Sequence, residues 1–209
     1  MAAETPAPGP KRRLLPRAAR AASILRAASR TFARGGYAAT AMDDIAAEAG
    51  VSKLMLYRHF NSKHELYSAV LEEVRTRLDA VEHRPGSLAG LTPEEGVREA
   101  AATLRATIRA AREVPDGYRL LYQHAAHEPE FAAVAGETRA RAVAKAEGLL
   151  APLIEDASLR RWAAHVIATL TDEALLAWLE VGDPERDAVM AERLARIQGA
   201  VVGSVNGLG

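Results

Sequence analysis

Lys53, Leu54, Met55, Tyr57, Arg58 and His59 fall on one short stretch that follows Gly50-Val51-Ser52. Such a mixture makes and breaks no bonds. It suits contact with a polyanion, because lysine and arginine reach phosphates or guanine edges and apolar atoms touch thymine methyls. A second group that invites chemistry is His124-x-x-His127-Glu128. Histidines three apart share a helix face, but no third protein ligand accompanies them, so no metal is assigned. Tyr118, Tyr122, His124, Phe131, Trp162, His165 and Trp178 are the candidates for lining a small-molecule pocket, which in helical proteins forms between helices. The same aromatic spacing also suits ordinary core packing.

Enzymatic readings find little to stand on. There is no glycine-rich phosphate loop, no His-Glu-x-x-His and no Ser-His-Asp set in a recognisable context. Cysteine is absent, which removes disulfides and thiolate metal sites. No run approaches the roughly 18 apolar residues of a membrane span. The Ala/Pro-rich start lacks the apolar core of a signal peptide, so a cytoplasmic protein is expected. Net charge is zero, yet residues 1–64 hold 11 Lys/Arg against 4 Asp/Glu, and residues 65–209 hold 16 against 23. A basic end and an acidic remainder fit a nucleic-acid partner for the first segment, although a chance distribution of solvated faces gives the same count.

The elements that must position these residues read as helices throughout. Residues 1–16 form a proline-rich, basic arm expected to be disordered. It could enter a neighbouring groove or simply add non-specific attraction. From Arg17, residues Ile24, Leu25, Ala28 and Phe32 share a helix face, and Gly35-Gly36 ends it. A second helix is expected to open with Thr40 as its cap and to stop at Gly50. A third follows Ser52 and runs to about Phe60. A fourth is capped by Ser62 and Glu65 and reaches about Glu82. Residues 83–91 read as a loop. Thr92-Pro93-Glu94-Glu95 starts a fifth helix that ends near Glu113. Pro115-Asp116-Gly117 breaks the pattern, Tyr118 to His127 resumes it, and Pro129 opens a seventh helix to Leu150. Ser158 to Val181 and a last helix from Asp183-Pro184 complete about nine helices and no sheet.

The second and third helices, joined by Gly50-Val51-Ser52, have the short glycine-containing connection of a helix-turn-helix. Ile24, Leu25, Phe32, Ile45, Ala46, Val51, Leu56 and Phe60 supply a three-helix core. The stretch "TFARGGYAATAMDDIAAEAGVSKLMLYRHFNSKHELYSAVL" (Thr31 to Leu71) resembles the N-terminal domain of the tetracycline-repressor (TetR) family. That resemblance implies an all-α fold, with the helix-turn-helix in residues 17–64 and a variable helical ligand-binding and dimerisation domain in residues 65–209. It implies that Thr40, Tyr57, His59 and Lys63 contact phosphates and that Lys53, Leu54 and Met55 read bases. Leu54-Met55 departs from the Gly-Thr or Pro-Thr of many members, so thymine methyl contact replaces a threonine contact. Tyr57 serves equally as a core cap, and Arg58 as a solvated cation.

The last two helices carry more apolar surface than one protomer readily buries, among it Trp162, Val166, Leu170, Val189 and Ile197. Pairing with a second copy forms a four-helix bundle, as the last two helices do in the resembled family. The expected protein is therefore a homodimeric, sequence-specific DNA-binding regulator and not an enzyme. The leading form is a repressor released from a near-palindromic operator by a small-molecule effector. An activator of the same fold and a non-specific architectural protein are the alternatives.

Overall fold

The computed structural model describes residues 16–81 and 88–207. Among them the chain forms nine α-helices and no strand. The first four are α1 (Arg17–Ala39), α2 (Met42–Ala49), α3 (Lys53–Tyr57) and α4 (Lys63–Asp79). Then come α5 (Pro93–Glu113), α6 (Pro115–Arg119), α7 (Ala132–Leu150), α8 (Ala157–Val181) and α9 (Asp187–Asn206). The basic arm, Pro16 apart, lies outside the described residues, as do residues 83–87 of the expected loop.

The helix boundaries follow local chemistry. Gly36 sits at φ +74°, a conformation that costs an L side chain, and the helical path of α1 breaks there. Gly50 ends α2 in the left-handed region (φ +64°, ψ +34°). Ser52 caps α3 by accepting from the Met55 N–H at 3.2 Å, and Ser62 caps α4 through Glu65 N–H at 3.0 Å. The Glu65 carboxylate reaches one residue further back than a capping box, taking the Asn61 N–H at 2.8 Å. At α5 the reciprocal box is complete, with the Thr92 N–H on Glu95 at 2.9 Å and the Glu95 N–H on Thr92 Oγ1 at 3.3 Å.

Several expected boundaries move. The cap of α2 is Ala41, not Thr40, and its N–H donates to Asp44 at 3.0 Å. Because Gly36 lets the backbone fold back, the Thr40 hydroxyl points inward and donates to the Gly36 carbonyl at 2.7 Å. α3 stops at Tyr57, short of Phe60. Pro115 does more than break a helix. It opens α6, since a proline at the first position lacks only an N–H that would be unpaired anyway. The expected helix to His127 changes pitch after Arg119, becoming π-helical over Leu120–His124 and 3-10 over Ala125–His127. Pro129 lies in a turn, and α7 begins at Ala132. A 3-10 turn, Pro184–Arg186, precedes α9, which extends to Asn206.

One apolar core runs from α1 to α9 without a gap. Ile24, Phe32, Ile45 and Leu56 from the first three helices join Tyr67, Leu71, Ile108, Leu121, Leu175 and Leu194. Of the expected three-helix core, only Leu25 and Val51 are part-exposed. α4 packs on α1, α5 and α6, and so belongs to both ends of the molecule. A smaller cluster (Val143, Leu150, Ile154, Ala163, Ala164, Val205) closes the far end. α9 packs more extensively on α5 than on its sequence neighbour α8. Arg112 ties the three together, bonding Asp187 at 2.6 and 2.7 Å and the Gly182 carbonyl at 3.2 Å, while Trp178 Nε1 donates to Asp187 at 2.7 Å.

A Cβ added at Gly50 meets no atom within 4 Å, so a substitution there tests backbone strain alone. Gly50→Ala is expected to lower stability by about 1–2 kcal/mol. Denaturant melts read the loss, and an unchanged midpoint would contradict the left-handed turn.

Candidate nucleic-acid interface and interior cavity

α3 has five residues, and only Leu56 among them is buried. Lys53, Leu54, Tyr57 and Arg58 occupy positions one and four or five apart, which places them on one face of a turn of helix. All four are exposed, Leu54 by 65% and Tyr57 by 39%. Met55 and His59 are half-buried beside them. An exposed leucine of that size on a cationic helix has no partner in its own protomer, which favours an external apolar contact. The Lys53 ammonium rests on Asp43 at 2.9 Å, with both side chains more than 60% exposed.

Thr40 and Lys63 stand apart from this face. Thr40 is 5% exposed, and its hydroxyl proton is engaged by Gly36. Lys63 Nζ donates to the carbonyls of Tyr37 and Ala38 at 2.8 and 3.1 Å and lies 4.6 Å from the Tyr37 ring centre. It caps the end of α1, where a cation meets unpaired carbonyls.

Of the seven residues expected to line a pocket, two do so together. Tyr118 and Tyr122, with ring centres 4.5 Å apart, border a cavity of about 190 Å³ between α4, α5, α7 and α8. A second cavity of about 380 Å³ shares Leu88, Ala100, Leu149 and Ile167 with it and extends toward α9. The other five do not line either cavity. Phe131 is buried between Tyr37, Tyr67 and His64, at centroid distances of 5.0, 4.4 and 4.9 Å. Trp162 and His165 are exposed on α8, Trp178 lies in a separate groove with Val189 and Ile197, and His124 is half-buried in the π-helical stretch. Aromatic type alone does not separate a cavity wall from a core contact, because burial satisfies both. His127 bonds the Gln123 carbonyl at 2.9 Å. Among the described residues no three His, Asp or Glu side chains gather as a metal set.

The cavity holds residues that pattern reading missed. Asp172 on α8 is 5% exposed, and its Oδ2 has no hydrogen-bond partner among the described residues. Arg75 on α4 also lines the cavity. Its Nε is likewise unpartnered, while its Nη1 meets Glu72 at 3.2 Å. Asp79 bonds Arg141 at 3.0 Å and Lys145 at 2.9 Å across the rim. Burial pushes the Asp172 carboxyl up to about 7, with Arg139 opposing and Glu173 adding to the rise. Burial also raises the Tyr118 and Tyr122 phenols, with Asp172 contributing to both. The available signal was an aspartate interrupting the apolar run of α8.

Residues 24–70 match the family pattern described as "Bacterial regulatory proteins, tetR family". The HTH-type transcriptional activator FasR of Mycolicibacterium smegmatis is 40% identical over 131 residues, 57% of this chain and 53% of that protein. The HTH-type transcriptional repressor Rv3405c of Mycobacterium tuberculosis is 42% identical over 81 residues, 38% of this chain and 43% of that protein. The chain thus matches about half the length of these curated relatives. A TetR-like transcriptional regulator from Rhodococcus sp. RHA1 superposes with a TM-score of 0.68 at 25% identity, covering 88% of this chain and 97% of that one. No helix among the described residues is long and apolar enough to cross a membrane.

The buried acid sets a pH dependence. Asp172 ionises near 3.8 when unfolded and at about 7 in the fold, so stability falls as pH rises between those values. Asp172→Asn is expected to stabilise the protein above pH 7 by up to roughly 4 kcal/mol, the gain shrinking toward pH 4. Thermal melts of both proteins at pH 5 and pH 8 measure it. A gain that is equal at both values would mean the carboxyl is not held neutral by burial.

Proposed function

We propose that this chain, whose residues 24–70 match the pattern of the tetR family of bacterial regulatory proteins, is a homodimeric, sequence-specific transcriptional repressor of that family, released from its operator by a small molecule. The observation that carries the DNA-binding part is α3 itself. It is a short helix with one buried anchor and an exposed face of Lys53, Leu54, Tyr57 and Arg58. In this reading residues 17–64 are the reading head, and residues 65–209 hold the effector and the dimer contact. Lys53, Leu54 and Met55 meet base edges. Tyr57, Arg58, His59 and Lys63 meet phosphates, and Thr40 braces the approach to α2 from its buried position. The protein acts in the cytoplasm, at the nucleoid.

The dimer reading is supported by the outer face of α8 and α9. Leu159, Trp162, Val189 and Ile197 are 38%, 54%, 43% and 52% exposed in the single chain. Large exposed apolar side chains mark an interaction surface, and two copies related by a two-fold axis cover them with the same residues from each. Two such heads read two half-sites one helical turn or a multiple apart.

An activator is the second reading, favoured by one finding. FasR, 40% identical over 131 residues, is named a transcriptional activator. The head reads DNA in the same way in either case, and the position of the site relative to a promoter decides the sign.

Selection from random duplex DNA is expected to enrich a two-fold symmetric motif, and no enrichment would overturn sequence-specific reading. On the selected site, Lys53→Ala and Tyr57→Ala should each weaken binding by about tenfold or more with an unchanged melting temperature for Lys53→Ala. Unaltered affinity in both would remove α3 as the reader. Trp162→Glu with Ile197→Glu should shift sedimentation from dimer to monomer, and a dimer that persists would place the interface elsewhere.

A further inference from the structure

We propose that the cavity beside Asp172 takes a lipophilic organic cation, a protonated amine on an apolar or aromatic frame, with its nitrogen on the Asp172 carboxylate against the faces of Tyr118 and Tyr122. The inference rests on the effector role proposed above and names the chemical class that fills it.

A buried carboxylate oxygen with no partner is costly to maintain, and Asp172, whose Oδ2 is such an atom, is one of the residues that line the cavity. The missing partner must be a donor. An aromatic pair beside a carboxylate favours a charged donor over a hydroxyl, because ring faces attract cations in desolvated sites. The remaining walls, among them Leu104, Ala142, Ala168 and Ile167, are apolar and accept a hydrocarbon frame. The adjoining cavity lets that frame extend toward α9.

The charges around Asp172 are consistent with one cationic ligand group. On α8, Glu173 adds negative potential, and on α7, Arg139 opposes it. Arg139 is exposed and bonds Thr169 at 3.4 Å. Asp79 from α4 neutralises part of the positive rim made by Arg141 and Lys145 of α7. Glu99 of α5 is a further acid on the lining, and Arg75 of α4 is the cation there that keeps an unpartnered nitrogen. Arg75 gives a ligand acceptor a place distinct from the amine. Because the carboxyl titrates at about 7 in the empty protein, an amine binds by displacing its proton, and affinity rises with pH while the amine stays charged.

The test uses the full-length protein and three probes of one shape, 4-phenylbutylamine, 4-phenylbutanol and 4-phenylbutyrate, by titration calorimetry. The amine is expected to bind at least tenfold more tightly than the alcohol or the acid at pH 8. Its affinity should fall by about tenfold on going to pH 6, where the carboxyl is mostly protonated. In Asp172→Asn the amine should lose its advantage, the amine and the alcohol falling within about threefold of each other. Tyr122→Leu should weaken the amine more than the alcohol. Preference for the acid, an amine preference that survives Asp172→Asn, or no binding by any probe would each overturn the proposal. Operator binding measured alongside separates the two readings. An amine that binds through Asp172 yet leaves the protein on DNA would overturn the release mechanism and keep the site. A protein released by some other compound while refusing the amine would overturn the site and keep the mechanism.

Discussion

A five-residue helix does not persist in water on its own hydrogen bonds, because nucleation fixes several residues for very few bonds. α3 persists because Leu56 is fully buried against the first helices and because Ser52 supplies a cap. The Gly50 turn sets the angle at which that single anchor enters the core. Everything exposed on α3 is positioned from these three points. The rest of the head exists to hold them, with Phe32, Ile45 and Ala46 forming the floor under Leu56.

The same economy joins the head to the body. The path of α1 breaks at Gly36, and the next residue, Tyr37, reaches Glu130 through its hydroxyl at 3.1 Å. Its ring meets Phe131 and Tyr67 edge-on at centroid distances of 5.0 and 5.1 Å. Phe131 is the N-cap of α7, four residues after the end at His127 of the helical segment that carries Tyr118 and Tyr122 along the cavity wall. A single run of chain therefore touches both the cavity and the base of the head, and its π-helical turn is a geometry often found where a helix serves a site. In the proposed mechanism a ligand would move the head only to the extent that it binds one arrangement of this run better than another. A buried acid that weakens the empty fold gives the ligand such a difference, since pairing it relieves a cost the empty protein carries.

What could be read from sequence follows from the range of the forces involved. Caps at Ser62 and Thr92 and the stop at Gly50 were legible because each involves residues within a few positions. Thr40 was misplaced because its choice between capping α2 and bonding α1 depends on the φ of Gly36, which brings distant carbonyls into reach. Pro115 and Pro129 look alike in sequence, yet one opens a helix and the other sits in a turn, a difference made by tertiary packing of Tyr118 and Phe131. The exposed face of α3 was largely legible, since a short amphipathic helix leaves few alternatives. The cavity was not. Asp172 and Arg75 come from helices nearly a hundred residues apart, and only the fold shows that the Asp172 Oδ2 and the Arg75 Nε are left without a hydrogen-bond partner among the described residues.

At the proposed reading face, electrostatics reconcile a neutral chain with the polyanionic partner proposed for it. Of the cations on or near α3, Lys53 is engaged by Asp43 and Lys63 by two carbonyls. Two further cations, Arg30 and Arg34 of α1, are bound to Glu48 at 2.9 and 2.8 Å. Such exposed pairs contribute about 0–1 kcal/mol each, so they hold long side chains in place without committing them. A phosphate competes easily for Lys53, and the cost of leaving Asp43 is small because both groups are already solvated. The excess of 11 basic over 4 acidic residues in positions 1–64 is then available to the DNA at little internal expense. In that reading it supplies a salt-dependent attraction that would bring the face to any duplex. Selectivity is left to the side chains that are not charged, Leu54 foremost. In the proposed reading, its 65% exposure serves contact with a thymine methyl.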